Sequence, residues 1–153
     1  MPKSGSVKEI DQGWARIKKQ LAIMDGSYTK VGVQEGERHD NGISMVIIAA
    51  ANEFGTFKIP ERPALRNAFD NNRPALESLK LRLITGIYSG KLTAERALGL
   101  LGEQHQRNTQ KSIRDLKTPP NAPFTIARKR SSNPLVDTGQ YIGSIRHVEV
   151  INA

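Results

Sequence analysis

The chain has 153 residues, 37 % hydrophobic and 25 % charged, with 23 Lys and Arg against 15 Asp and Glu for a net charge of +8. A chain of that size can bury a real core as one domain, and no apolar run approaches the ~20 residues that cross a bilayer. The absence of cysteine excludes disulfides, thiolate metal sites and cysteine nucleophiles together, and it fits a reducing compartment. The charged N-terminal stretch lacks an apolar core with a cleavage site, which predicts no signal peptide.

Taken in chain order, Lys8 to Met24 predicts a first helix, because Ile10, Trp14, Ile17 and Leu21 fall on one stripe; Trp14 on that stripe is expected to anchor the core. Asp25-Gly26-Ser27 ends it with turn chemistry. Tyr28 to Val33 alternates and predicts a strand packed through Thr29, Val31 and Val33. Residues 34–42 are polar and glycine-bearing, and are expected to form a mobile loop. The apolar run after Ser44 predicts a short buried helix ending at Gly55, with Phe54 as a buried anchor. Thr56 to Arg62 is expected to be extended, since Pro60 and Pro63 fix φ around Arg62.

A second long helix is predicted from Ala64, with a break or kink between Asn72 and Ala75 because Pro74 lies inside it. Thr93 is positioned to N-cap a third helix from Ala94 to Leu116. Its stripe turns polar at His105, Asn108 and Ser112, which suggests a face shared with a neighbouring subunit or with solvent. Prolines 119, 120 and 123 make the next segment extended. Short helical turns near Phe124 to Ala127 and Asp137 to Ile142 lead to a final strand beginning at Ile145. The expectation is a single α+β domain over 1–153, with a small, mostly antiparallel sheet packed with three main helices, and mobile loops near 34–42 and 118–133.

Signals for small-molecule chemistry are sparse. The histidines, His39, His105 and His147, are dispersed and lack metal-ligand spacing, and no phosphate-binding fingerprint occurs; neither a metal nor a cofactor is expected. Leu135-Val136-Asp137-Thr138-Gly139 matches the core of the retroviral-type aspartic proteases, in which Asp137 would share a proton with its symmetry mate. Too little chain follows Gly139 for the flap and strands of such an enzyme. The competing reading makes Asp137, Thr138 and Gly139 a structural turn, with Asp137 or Thr138 capping the helix that follows and Gly139 admitted where room is tight. Between Gln104 and Arg130, Arg107, Lys111, Arg114, Lys117, Arg128, Lys129 and Arg130 are opposed only by Asp115. Such a cluster is either a solvated helix face followed by a solvated loop, or a surface for an anionic partner, nucleic acid or an acidic protein surface. A basic DNA-binding accessory module is thus the alternative to a structural role.

Two segments together carry a resemblance that spans most of the chain. The first is Ala50-Ala51-Asn52-Glu53-Phe54-Gly55-Thr56 followed by Ile59-Pro60-Glu61-Arg62-Pro63-Ala64-Leu65. The second is Pro119-Pro120-Asn121-Ala122-Pro123 with Thr125 and Lys129, then Pro134-Leu135-Val136-Asp137-Thr138-Gly139-Gln140 and Ser144-Ile145. In order and spacing the pair resembles the tailed-phage neck proteins, also called tail-completion, minor tail or virion morphogenesis proteins. The resemblance implies a ring-forming, non-enzymatic structural subunit at the head–tail junction of a virion, assembled in the host cytoplasm. Its partners would be further copies of itself, with six favoured and twelve possible, tail terminator or tail tube proteins, head-closure or portal-side proteins, and genomic DNA passing through the channel, with no membrane. On that reading Phe54, Ile59, Pro60 and Arg62, with the basic residues Arg107, Lys111, Arg114, Arg128, Lys129 and Arg130, are interface candidates. Ile59 to Arg62 would lie against a neighbour, and Arg62 would make a structural ion pair.

Overall fold

A computed structural model describes residues 13–129 and 131–152. The elements run α1 (Trp14–Met24), β1 (Tyr28–Val33), α2 (Met45–Phe54), α3 (Ala64–Tyr88), α4 (Ala94–Asp115), α5 (Pro123–Lys129), α6 (Gln140–Ser144) and β2 (Ile145–Val150). They form a single small α+β domain. The two strands pair antiparallel, Tyr28 opposite Val150 and Val33 opposite Ile145. The chain's beginning and end are thus joined into one ribbon, and α4 lies across it. Gly102 makes that approach possible: a Cβ there would collide with Thr29 Oγ1 and come within 2.9 Å of the His147 ring.

Helix α4 begins where its cap predicts, with Thr93 Oγ1 accepting from Arg96 N at 3.2 Å. It packs against α3 and both strands. On its polar stripe Ser112 Oγ donates to Ala64 O at 2.7 Å, and beside the stripe Gln110 Nε2 donates to Ile142 O and Ile145 O. Hydrogen-bonded polar groups of this kind can be enclosed without the full desolvation penalty.

Three sequence expectations are corrected here. Trp14 is 60 % exposed, not a core anchor. Residues 8–12 of the expected first helix, Ile10 included, lie outside the described residues. What sets the roll of α1 is polar: Arg16 donates to Ile87 O and Tyr88 O at the C-terminus of α3, and Gln20 Oε1 accepts Ala94 N at the N-terminus of α4. All three bonds go to helix-terminal groups that have no partner within their own helix. They turn Ile17, Gln20 and Ile23 inward in place of Trp14 and Leu21.

Of the break or kink expected at Pro74, the break is absent: α3 is continuous for 25 residues. Pro74 and Asp70, whose carbonyl loses its donor, are both exposed, so the carbonyl lies on the solvent side of the helix. Buried Ala68, Leu76, Leu83 and Ile87 hold the helix on both sides of the proline. Nor is Thr56 to Arg62 uniformly extended. Thr56 Oγ1 accepts from the amides of Lys58 and Ile59, and Thr56 N donates to Ile59 O at 2.8 Å, so the segment opens with a tight turn.

The buried apolar residues form two groups. One, at the N-terminal end of α3, holds Met45, Ala49, Ala64, Ile113, Leu135, Tyr141 and Ile145. The other, toward the C-terminal end of α3, holds Leu83, Ile87 and Ala97 with Met24, Leu79, Leu92, Leu100 and Leu101 packed around them.

Candidate partner-binding cleft

The site is built from the end of α2. Glu53 is only 8 % exposed, and its carboxylate accepts Leu65 N at 3.0 Å and Arg66 N at 2.9 Å. A carboxylate there caps α3 from outside and meets the positive end of its dipole. Asn52 holds the returning chain through its carbonyl, which accepts Arg62 N at 2.6 Å. Between them the chain reverses at Gly55 and the Thr56 turn. This local geometry is why Glu53 is buried and its neighbour Phe54 is not. Phe54 is 72 % exposed, a correction to its expected role as an anchor, and the Arg66 guanidinium lies over its ring.

Arg62 is 5 % exposed. Its guanidinium makes no ion pair among the described residues, contrary to expectation. It donates instead to neutral oxygens: Nε to Pro119 O at 2.9 Å, Nη2 to Pro120 O at 3.0 Å and to Asn121 Oδ1 at 3.2 Å, and Nη1 to Asn52 Oδ1 at 3.5 Å. The extended proline run suits this contact because its carbonyls are not consumed by helix or sheet. Burial lowers the Arg62 pKa from its ordinary value. Arg62 thus engages its own chain.

The other wall continues the same network. Asn121 Nδ2 reaches Asn133 O and Pro134 O, and Lys129 Nζ donates to the same two carbonyls at 3.3 Å. Burial pushes the Lys129 ammonium below its usual pKa, and the charges of Arg62 and Arg128 add to that, while Asp137 acts in the opposite direction. The Asp137-Thr138-Gly139 turn leads into α6. Gly139 occupies the N-cap position, at φ 87°, and the Thr138 hydroxyl before it accepts from the first amide of α6, Gln140 N, at 3.5 Å. A Cβ at Gly139 would meet nothing within 4 Å, so left-handed backbone rather than tight room calls for glycine. The 34–42 loop closes one end: His39 N donates to Ile43 O at 2.9 Å, and Asp40 Oδ1 accepts from Gln140 Nε2.

These walls enclose a half-open cleft of about 760 Å³. It brings together eight of the thirteen residues singled out in the sequence: Ile59, Pro60 and Arg62 on one wall, Arg128 and Lys129 on the other, and Asp137, Thr138 and Gly139 along the lip. Phe54 points away from it. Arg107, Lys111 and Arg114 lie on exposed turns of α4 outside it; Arg107 pairs with Glu103, and Lys111 with Asp115. Arg130 lies outside the described residues. Sequence reasoning missed Lys58 and His39 in the lining, and Glu53, Asn52 and Asn121 as the residues that shape it. The only available signal was that Asn52, Glu53 and Asn121 sit inside the two resemblance-bearing strings.

Comparisons with protein-family models, with characterised proteins and with solved structures return no match for this chain.

Proposed function

We propose that this protein is a structural subunit of a phage head–tail junction, a neck or tail-completion protein that lets a tail dock onto a DNA-filled head. The observation that carries the reading is the convergence of the two resemblance-bearing segments. They are separated by all of α3 and α4, yet Arg62 of one is bonded to Pro119, Pro120 and Asn121 of the other. Strings this far apart that serve one structural unit are a stronger basis for a family resemblance than either string alone. Ile47, Phe54 and Phe57 are exposed at the same end, and an apolar patch of that kind supports association with further copies or with neighbouring rings.

On this reading six copies surround the DNA channel, with twelve as the other symmetric choice. The segments 34–42 and 118–133 contact the rings above or below. The protease alternative draws no support from a two-stranded sheet with Asp137 exposed on a cleft lip. Quantitative mass spectrometry of purified virions tests the proposal by counting this chain against the portal protein. A ratio near one half or one is expected, and absence from the particle overturns it. Alanine at Arg128, Lys129 and Arg130 together is expected to impair head–tail joining, scored as the ratio of tailed to tailless heads.

A further inference from the structure

The cleft carries an excess of positive charge that the chain does not neutralise. Lys58, Arg62, Arg128 and Lys129 line it, and Asp137 is the one carboxylate among its lining residues. None of the four cations forms an ion pair among the described residues. Arg62 and Lys129 are bonded to neutral oxygens only, while the side chains of Lys58 and Arg128 are exposed at opposite walls. Lys58 and Arg128 form no ion pair among the described residues, so a carboxylate entering between them gains charge-assisted hydrogen bonds that the chain does not itself supply. The apolar surface of the cleft is that of half-buried Ile48 and Ile59.

We infer that the cleft binds an acidic, extended peptide segment of a partner protein, its carboxylates between Lys58 and Arg128 and its apolar side chains against Ile48 and Ile59. Charge complementarity selects this occupant, and the half-buried isoleucines give its apolar side chains a surface. A DNA duplex contacts cations that project to its phosphates, and here two of the four are recessed. A single strand requires aromatic faces for stacking; of the two rings that line the cleft, Tyr141 is buried and His39 alone is partly accessible. The inference deepens the head–tail reading by giving the chemistry of the docked partner. It is tested separately, because peptide binding is measured on the isolated chain and virion incorporation is not.

The experiment is fluorescence anisotropy of the full chain with a labelled peptide of alternating glutamate and leucine, at about 0.15 M salt. The same peptide with glutamine for glutamate, a single-stranded oligonucleotide and a short DNA duplex serve as comparison ligands. The expected result is saturable binding of the acidic peptide, at least about tenfold tighter than of the glutamine peptide, a ratio set by charge-assisted hydrogen bonds. Lys58→Glu and Arg128→Glu each weaken it about tenfold or more. Both side chains are exposed and make no hydrogen bond or ion pair among the described residues, so circular dichroism should show these variants folded. Arg82→Glu removes the same charge on an exposed turn of α3 outside the cleft and should leave binding within about twofold, which separates the cleft from the general field of a basic protein. Equal affinity for the glutamine peptide, insensitivity to Lys58→Glu and Arg128→Glu, an equal loss with Arg82→Glu, or tighter binding of either nucleic acid overturns the inference.

Discussion

At the N-terminal end of α3 the chain is fixed by buried polar side chains, of which Glu53 and Arg62 bond to other segments of the chain; at the C-terminal end of the same helix it is fixed by aliphatic packing. Among the described residues the buried polar side chains are Glu53, Arg62, Thr109 and Ser144, and all four lie toward the cleft end. The far end buries Leu83, Ile87 and Ala97 against other aliphatic side chains, and its polar contacts are the exposed or half-buried ties of Arg16 and Gln20 to helix termini. The difference is one of tolerance. Aliphatic packing accepts substitutions that conserve volume, whereas a buried polar network is all or nothing, since each lost partner strands another group. The cleft end is therefore the rigid, geometry-specific part, as a docking surface requires. Arg62 and Lys129 are held at fixed positions by that network, while Lys58 and Arg128 project from the two walls outside it.

The sharpest test of that contrast is Arg62→Ala. It removes several charge-assisted hydrogen bonds, each worth about 1.5–3 kcal/mol when intact and partly replaced by water when lost. A loss of about 4 kcal/mol in urea denaturation is expected, with Arg62→Lys recovering less than half because an ammonium lacks the planar fork. A loss below about 1 kcal/mol would show that the cleft end is not held this way. Hydrogen exchange sharpens the comparison: in Arg62→Ala the amides of α5 should lose protection while those of α3 around Leu83 to Ile87 keep theirs, because the two ends open separately.

Ile87→Ala is the corresponding probe of the far end. Ile87 is 1 % exposed, so about 3 kcal/mol is expected from the cavity and the lost burial, while Ile87→Leu should cost less than about 1.5 kcal/mol. Glu53→Gln comes next, at about 2 kcal/mol. It keeps the volume of the side chain but removes the charge that meets the α3 N-terminus, and it leaves one of the Leu65 and Arg66 amides facing an NH₂ group. Unlike the leucine at position 87, this near-isosteric change should not be tolerated, and equal losses for the two conservative variants would erase the contrast between the ends.

What could be read in the sequence follows the same division. Strand β1 falls where alternation places it, β2 begins at Ile145 as expected, and α4 starts at its Thr93 cap, because these signals are local. The misjudged residues are those whose environment is set from far along the chain. Trp14 faces outward because Arg16 and Gln20 find partners at the ends of α3 and α4. Phe54 faces outward because Glu53 takes the inward position to cap α3. Pro74 sits inside an unbroken helix because burial on both sides outweighs one lost bond. Arg62 was recognised as structural, but its partners were unreadable: backbone carbonyls of prolines leave no residue-type signature. The two strings that converge on the cleft were visible, whereas the contact between them was not.

His105 lies midway along α4, between the two ends, and gives the smallest but most selective effect. Its ring meets the edge of Phe69 at a centroid distance of 5.7 Å, and its Nδ1 is buried without a hydrogen-bond partner. Burial lowers its pKa from the ordinary imidazole value, so the folded chain holds it neutral at pH values where the unfolded chain protonates it. The unfolded state then binds more protons, and stability rises with pH in that window. The contribution is complete above the ordinary value of about 6.5 and is lost as pH falls through the lower folded value. Denaturation midpoints should therefore fall between about pH 7.5 and pH 5.5, and His105→Leu, which fills the space without titrating, should flatten that slope. The carboxylates with lowered pKa values, Glu77 and Asp115, are exposed and titrate well below this range, so they do not share the window. A slope unchanged in His105→Leu would place the titrating group elsewhere. A flattened slope would show that the apolar side of α3 and α4 extends as far as Phe69 and that the polar network begins only beyond it.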